Sequence, residues 1–320
     1  MLNNHLEKSS APDRILVTGG AGFIGSHSVN FLLAQEKQVV VLDNLSSGKM
    51  SNLNLNHPNL EFIEGDILEY PLLEDLISNC DAVLHLAAIP SVPQSIENPI
   101  YTFQVNVQGF LHVLQAIHRA QRSIRLVYAS SAAVYGNTKQ LPCRDDCSLI
   151  DKPISPYALH KINNEEYAAL YKKLHQVGSL GLRYFNVYGP NQDPHSPYSG
   201  VISYFMEAYK NDKLLTIFGD GLQSRDFIYV ADVVTANWLA LQSDYIGVLN
   251  IATGKPQTLL DMIKHLETAG QRVAKSQFEP VRPGDIKESF AAVELAKKYL
   301  NFNASTSAQE GIKQLLETAS

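Results

Sequence analysis

Between Arg14 and Phe185, short runs of β-branched and aliphatic residues alternate with longer segments whose apolar positions recur at helical spacing. The runs predict strands at Arg14–Thr18, Gln38–Asp43, Leu60–Glu64, Ala82–Leu86, Arg125–Ala129 and Leu180–Phe185. The longer segments predict helices at Phe23–Gln35, Leu72–Asn79, Ile100–Arg119 and Pro156–Gln176. Strands alternating with helices are the pattern of an α/β fold, a doubly wound parallel sheet covered on both faces. From about Asn186 the alternation breaks. Residues 187–223 are rich in Pro, Gly, Asn and Tyr, an apolar helix follows at Val233–Leu241, and 253–320 carries helical patterns between Gly/Pro loops. The expected division is a larger domain over 13–186 plus about 224–252, and a smaller α/β C-terminal domain over 187–223 plus 253–320.

With 320 residues, 45% hydrophobic and 18% charged, the chain can bury a substantial core, which excludes a disordered or collagen-like protein. A net charge of −6 argues against a nucleic-acid partner. Three cysteines cannot form a disulfide framework and point to a reducing compartment. The polar N-terminus, with residues up to about Pro12 read as a frayed tail, has no apolar signal core. No apolar run approaches membrane-spanning length. The expectation is a soluble, cytoplasmic protein with no membrane partner.

The first strand runs directly into Gly19-Gly20-Ala21-Gly22-Phe23-Ile24-Gly25 and then a helix. Gly19 permits the tight turn, Gly22 lets backbone approach a pyrophosphate, and Gly25 lets the helix pack against the sheet. Asp43 closes the second strand about 18 residues beyond Gly25, where an acid accepts hydrogen bonds from a ribose 2′-OH. A carboxylate there disfavours a 2′-phosphate, so NAD(H) is the expected cofactor, although Lys49 is a nearby cation. Asp66-Ile67, after the third strand, stands either at the adenine or as an ordinary turn.

Tyr157 and Lys161 are four residues apart on a predicted helix that Ser155 would cap and Pro156 would open, so they share a face. A free phenol titrates near pH ~10. A neighbouring ammonium and a cationic nicotinamide would favour the phenolate and make it a usable base. Ser131, at the end of the fifth strand, lies where α/β sheets place their chemistry and would bond the reacting oxygen.

These segments together resemble the extended short-chain dehydrogenases/reductases of the nucleotide-sugar group, from about Arg14 to Leu315. The matching stretches are Thr18–Gly25, Asp43-Asn44-Leu45, His85-Leu86-Ala87-Ala88, Ser130-Ser131, Tyr157–Lys161, Arg183–Pro190, Ser224–Phe227 and Arg282–Asp285. Ser91–Ile96 and Gln192-Asp193-Pro194 make it most similar to UDP-hexose 4-epimerases, especially those handling UDP-N-acetylglucosamine. The resemblance implies a Rossmann-type fold. It places NAD along Gly19, Gly22, Phe23, Ile24, Gly25, Asp43, Asn44, Asp66, Ile67, Leu86, Ala87, Ala88, Asn106, Tyr157, Lys161 and Tyr184. It places a UDP-sugar against Ser91, Ser131, Asn186, Arg225, Arg282 and Ser289. Asn186, Arg225 and Arg282 would hold the diphosphate, a role that the bidentate, charge-assisted bonding of Arg suits. Asn106 would support the nicotinamide end, or be a buried amide bonded to backbone.

Relatives in this group share a 4-keto intermediate, and the dehydratases and decarboxylases carry carboxylates directly after the catalytic Ser or Thr. Here those positions are Ala132 and Ala133, which neither donate nor accept a proton. That leaves 4-epimerisation, with NAD retained as a prosthetic group. Ser289 matches a gate position facing the hexose, where a small residue leaves room for an N-acetyl group; it also stands as a helix-capping serine. UDP-glucose and UDP-glucuronate remain as alternative substrates, and a non-catalytic NAD(H)-binding regulatory protein as an alternative function. Helices Ile100–Arg119 and Pro156–Gln176 match those that pair in family homodimers. Cys143 and Cys147 lack the His or Cys partners of a zinc site, so no metal is expected. His85 and Trp238 read as packing residues.

Overall fold

The computed structural model describes residues 11–147, 153–193, 200–281 and 286–318. β1 (Arg14–Thr18), α1 (Phe23–Ala34), β2 (Gln38–Asp43), β3 (Leu60–Glu64), α2 (Tyr70–Ser78) and β4 (Ala82–His85) follow in the predicted alternation. Then come α3 (Val92–Glu97), α4 (Pro99–Phe103), α5 (Gly109–Arg119), β5 (Arg125–Ser131), α6 (Pro156–His175) and β6 (Ser179–Tyr184). The remainder comprises β7 (Asn186–Tyr188), α7 (Val201–Lys210), β8 (Leu215–Phe218), β9 (Ser224–Arg225), β10 (Phe227–Tyr229), α8 (Val230–Leu241), β11 (Gly247–Ile251), β12 (Gln257–Thr258), α9 (Leu259–Gly270), β13 (Ser276–Glu279), β14 (Glu288–Ser289), α10 (Glu294–Leu300) and α11 (Ala308–Thr318).

Seven parallel strands form the main sheet in the order β11-β6-β5-β4-β1-β2-β3. Val39–Leu42 and Ile15–Val17 are buried almost completely, as central strands covered on both faces require. On one face Val29 and Leu32 of α1, Val233 and Ala236 of α8 and Leu300 of α10 share a core. On the other, Leu73 and Ile77 of α2, Phe110 and Val113 of α5 and Ala168 of α6 share a second. β1 lies between β2 and β4, so the direction of winding reverses there. The crevice at that switch point, at the carboxyl ends of the strands, is where such sheets bind ligands.

A separate core joins Phe205 and Met206 of α7, Leu215 and Ile217 of β8, Phe227 of β10, Met262 and Leu266 of α9, and Ile312 and Leu315 of α11. The chain passes between the lobes repeatedly. β9 and β10 pair with β12, β14 and β7 of the smaller lobe, whereas α8, β11 and α10 pack with the main sheet. Among the described residues no helix is long and apolar enough to cross a membrane.

The segment expected as one helix, Ile100–Arg119, is a continuous rod with a π-helical turn, Gln104–Gln108, between α4 and α5. Wider winding withdraws main-chain groups from the regular ladder and offers them outward. Here the Asn106 carbonyl accepts a hydrogen bond from Asn164 Nδ2 of α6 at 2.9 Å. Hydrophobic spacing carries no trace of that contact between helices, which is why the segment reads as uniform.

Candidate active site

A cleft of about 390 Å³ lies over the carboxyl ends of the central strands. Its floor is the glycine turn. Gly19 has φ +70°, and a Cβ there would stand 2.8 Å from the Ala87 nitrogen. A Cβ on Gly25 would stand 2.1 Å from the Gly19 carbonyl oxygen. Only glycine lets α1 start this close to β1 and present its amino end to the cleft.

Asp43, at the end of β2, is buried. Its Oδ2 accepts from the Ala21 amide at 2.9 Å and its Oδ1 from the Leu45 amide at 2.8 Å. Both oxygens keep a lone pair for ribose hydroxyls. Asn44 Nδ2 donates to Asp66 Oδ2 at 2.8 Å, which ties the ends of β2 and β3 together at the far rim. A helix amino end for the pyrophosphate and a fixed carboxylate for the ribose fit NAD.

At the other end, α6 begins as its sequence predicts, with Ser155 accepting from the Ala158 amide and Pro156 in the first turn. Ser95 of α3 accepts from the Tyr157 amide at 3.1 Å and so seats that turn against α3. Tyr157 and Lys161 project side by side, the Lys161 Nζ 5.8 Å from the Tyr157 ring centre. Burial raises the Tyr157 phenol above its ordinary value, and a hydrogen bond with Ser131 pulls it back. Burial lowers Lys161 to about 8, against an upward pull from the Glu165 carboxylate. Lys161 donates to the Ala129 carbonyl, and Ser131 is a side chain that favours the phenolate.

Gly19, Gly22, Phe23, Ile24, Gly25, Asp43, Asn44, Asp66, Ile67, Leu86, Ala87, Ala88, Ser131, Tyr157, Lys161, Tyr184 and Asn186 all line this one cleft. The structure does not place Asn106 on its wall. That buried amide accepts from the Ile89 nitrogen at 2.7 Å and donates to the Ile89 carbonyl at 3.1 Å, and so pins the loop after β4. Ser91 is the amino cap of α3, accepting from the Gln94 amide at 3.0 Å, beside the cleft residue Pro90.

Arg225 and Ser289 meet on a separate three-stranded sheet, directly paired between β9 and β14. The adjacent Asp226 carbonyl accepts from the Asn186 amide at 3.0 Å and thereby joins that sheet to the cleft. Arg282 lies outside the described residues, as does Asp285. Ser46, Ser47 and Tyr101 also line the cleft without having been singled out in the sequence, as does Gln192 of the matching Gln192-Asp193-Pro194 stretch. Ser46 and Ser47 stand on the loop after β2 and Tyr101 on α4, where no local pattern marks them. His85 is buried, its Nδ1 hydrogen-bonded to Thr18 Oγ1 at 2.8 Å, and Trp238 packs against the core of the main sheet.

The description "NAD dependent epimerase/dehydratase family" matches residues 15–252, most of the chain. The chain belongs to that family. It is an isomerase of the extended short-chain dehydrogenase/reductase group, and NAD is its cofactor. A UDP-glucose 4-epimerase of Mycolicibacterium smegmatis is 34% identical over 308 residues, 95% of this chain and 97% of that one. The solved UDP-N-acetylglucosamine 4-epimerase from Methanobrevibacter ruminantium M1, in complex with UDP-N-acetylmuramic acid, is 37% identical. It superposes with a TM-score of 0.91, covering 96% of this chain and 98% of that one. The Thermus thermophilus UDP-glucose 4-epimerase in complex with NAD is 35% identical, with a TM-score of 0.86 and coverage of 95% and 98%.

Proposed function

We propose that this enzyme, a UDP-sugar 4-epimerase, acts on UDP-N-acetylhexosamines, interconverting UDP-N-acetylglucosamine and UDP-N-acetylgalactosamine. NAD, when bound, supplies the acceptor and then the donor of hydride at the sugar C4. Tyr157 takes the proton of the 4-hydroxyl and returns it, Ser131 holds the oxygen, and Lys161 fixes the helix and carries positive charge beside the phenol.

The observation that carries inversion rather than elimination is the turn that follows Ser131. Ser131 Oγ accepts from the Ala133 amide at 3.1 Å, and Ala132 and Ala133 put only methyl groups beside the reacting end. Among the described residues lining the cleft, the carboxylates are Asp43 and Asp66, by β2 and β3. Three strand spacings separate β5 from β2, about 14 Å. Among the described residues lining the cleft, no carboxylate stands beside Ser131 to take or deliver the extra proton that elimination needs.

For the C2 substituent, Ser289 supports the N-acetyl reading, being small and paired directly with Arg225. Relative kcat/KM on UDP-N-acetylglucosamine, UDP-N-acetylgalactosamine, UDP-glucose and UDP-glucuronate tests this. The N-acetyl pair leads if the reading is right, and preference for UDP-glucuronate or UDP-glucose overturns it.

The same reading includes a homodimer in the cytoplasm. Ile100 is 76% exposed and Leu174 60%, and Phe103 of α4 and Leu159 and Leu170 of α6 are also uncovered. α4 and α6 pack on one another, so these residues form an apolar face that a second copy would cover.

A further inference from the structure

Behind the catalytic side chains lies a buried polar cluster with no part in the proton transfer itself. Glu165 stands one turn beyond Lys161 and two beyond Tyr157 on α6, and is 9% exposed. Its Oε1 accepts from Ser130 Oγ at 2.5 Å and from Arg183 Nε at 2.9 Å, and its Oε2 accepts from Arg183 Nη2 at 2.6 Å. Ser130 and Arg183 are direct partners in the pairing of β5 with β6. Arg183 also donates through Nη1 to the Tyr135 hydroxyl at 2.8 Å and to the Asp145 carbonyl at 3.3 Å. Tyr135 in turn donates to Asn250 Oδ1 at 2.6 Å, and Asn250 Nδ2 donates to the carbonyls of Cys143 and Ala292.

Removing two charges from water is expensive, and apolar replacements of buried pairs are often as stable or more so. Cohesion alone is therefore a weak account of this pair. Its placement is more telling. Ser130 immediately precedes Ser131, the residue bonded to the Tyr157 phenol. α6 is thus attached to the end of β5 at two points, Lys161 to the Ala129 carbonyl and Glu165 to Ser130, on consecutive residues of the strand.

We propose that Glu165 and Arg183 are positioning residues of the epimerase reaction, which lock Ser130 and so set Ser131 against Tyr157 and Lys161. This rests on the catalytic assignment of Ser131, Tyr157 and Lys161. A fixed carboxylate one turn away also favours the charged form of Lys161, opposing the burial that disfavours it. The other titratable groups coupled to Lys161 are His85 of β4 and His160 of α6, both held toward their neutral forms by burial and by the lysine.

The test uses NAD-loaded enzyme with Ser130→Ala, Ser130→Thr, Glu165→Gln and Tyr157→Phe, assayed for bound NAD, circular dichroism, kcat, KM and pH profile. Ser130→Ala leaves the ion pair whole, so it remains informative where Glu165→Gln fails to fold. A misplaced reacting group costs on the order of tenfold to a hundredfold in kcat, with KM nearly unchanged. That loss is expected for Ser130→Ala, with recovery in Ser130→Thr. Glu165→Gln is expected to move the alkaline limb of kcat to lower pH, and Ser130→Ala to leave that limb in place. Folded Ser130→Ala and Glu165→Gln with wild-type kcat and pH profile, beside an inactive Tyr157→Phe, would overturn the proposal. An active Tyr157→Phe would instead remove the catalytic assignment on which it rests, and the proposal with it.

Discussion

Lys161 Nζ donates to the main-chain carbonyl of Ala129 at 2.7 Å, two residues before Ser131 on the same strand. This bond fixes the lysine, 4% exposed, where its charge lies beside the Tyr157 ring. The lysine is therefore a fastener of helix to strand as well as a charge.

Tyr157→Phe removes the hydroxyl proposed as proton acceptor and leaves the ring. Loss of a positioned general base costs about 10² to 10⁴ in rate. Turnover should fall by that order while NAD released on denaturation stays stoichiometric. Near-normal turnover would exclude the phenol as the base.

His85 lies under the cleft, and burial, assisted by the charge of Lys161, holds it at about 3. Its folded-state value is below the ordinary histidine value, so the unfolded chain binds the proton first. The stability this neutral imidazole contributes is complete above pH ~6.5 and is lost as pH falls from there toward about 3. Thermal melts across that window should show a slope that His85→Gln reduces. An unchanged slope would assign the acid sensitivity to other groups.

Ser289→Tyr puts a ring and hydroxyl beside Arg225. If Ser289 borders the hexose, kcat/KM for N-acetyl substrates should drop about tenfold or more while that for UDP-glucose holds, since a filled pocket penalises the larger group selectively. Equal effects on all substrates would take Ser289 out of the gate role.

Ile100→Glu with Leu170→Glu puts charges on the uncovered face of α4 and α6. Sedimentation should show a dimer for the wild type and a monomer for the variant. A monomeric wild type, or an undisturbed dimer in the variant, would place the interface elsewhere.

The parts legible in the sequence are those set by local pattern. β1, β2 and β3 have the boundaries predicted from their apolar runs, and the glycine turn, Asp43 and the Ser155 cap announce themselves by residue type at fixed offsets. The parts that stayed hidden depend on contacts between distant segments. The π turn at Gln104–Gln108 answers to Asn164, about 60 residues away, and it takes the position of Ile89 to show which of its two readings the Asn106 amide follows, that of a buried amide bonded to backbone. Arg183 and Glu165 meet only because β6 pairs with β5 in one particular register. Ser130 and Arg183 lie in stretches that the sequence marks, whereas nothing in the sequence ties either of them to Glu165.

The proposed function requires inversion at C4 of an N-acetylated UDP-hexose. Incubating the enzyme with UDP-N-acetylglucosamine and following the sugar proton resonances by NMR measures it directly. UDP-N-acetylgalactosamine should accumulate to an equilibrium mixture without added NAD beyond that already bound. A spectrum with no C4 epimer, or one in which a dehydrated product replaces it, would rule out C4 inversion of this substrate.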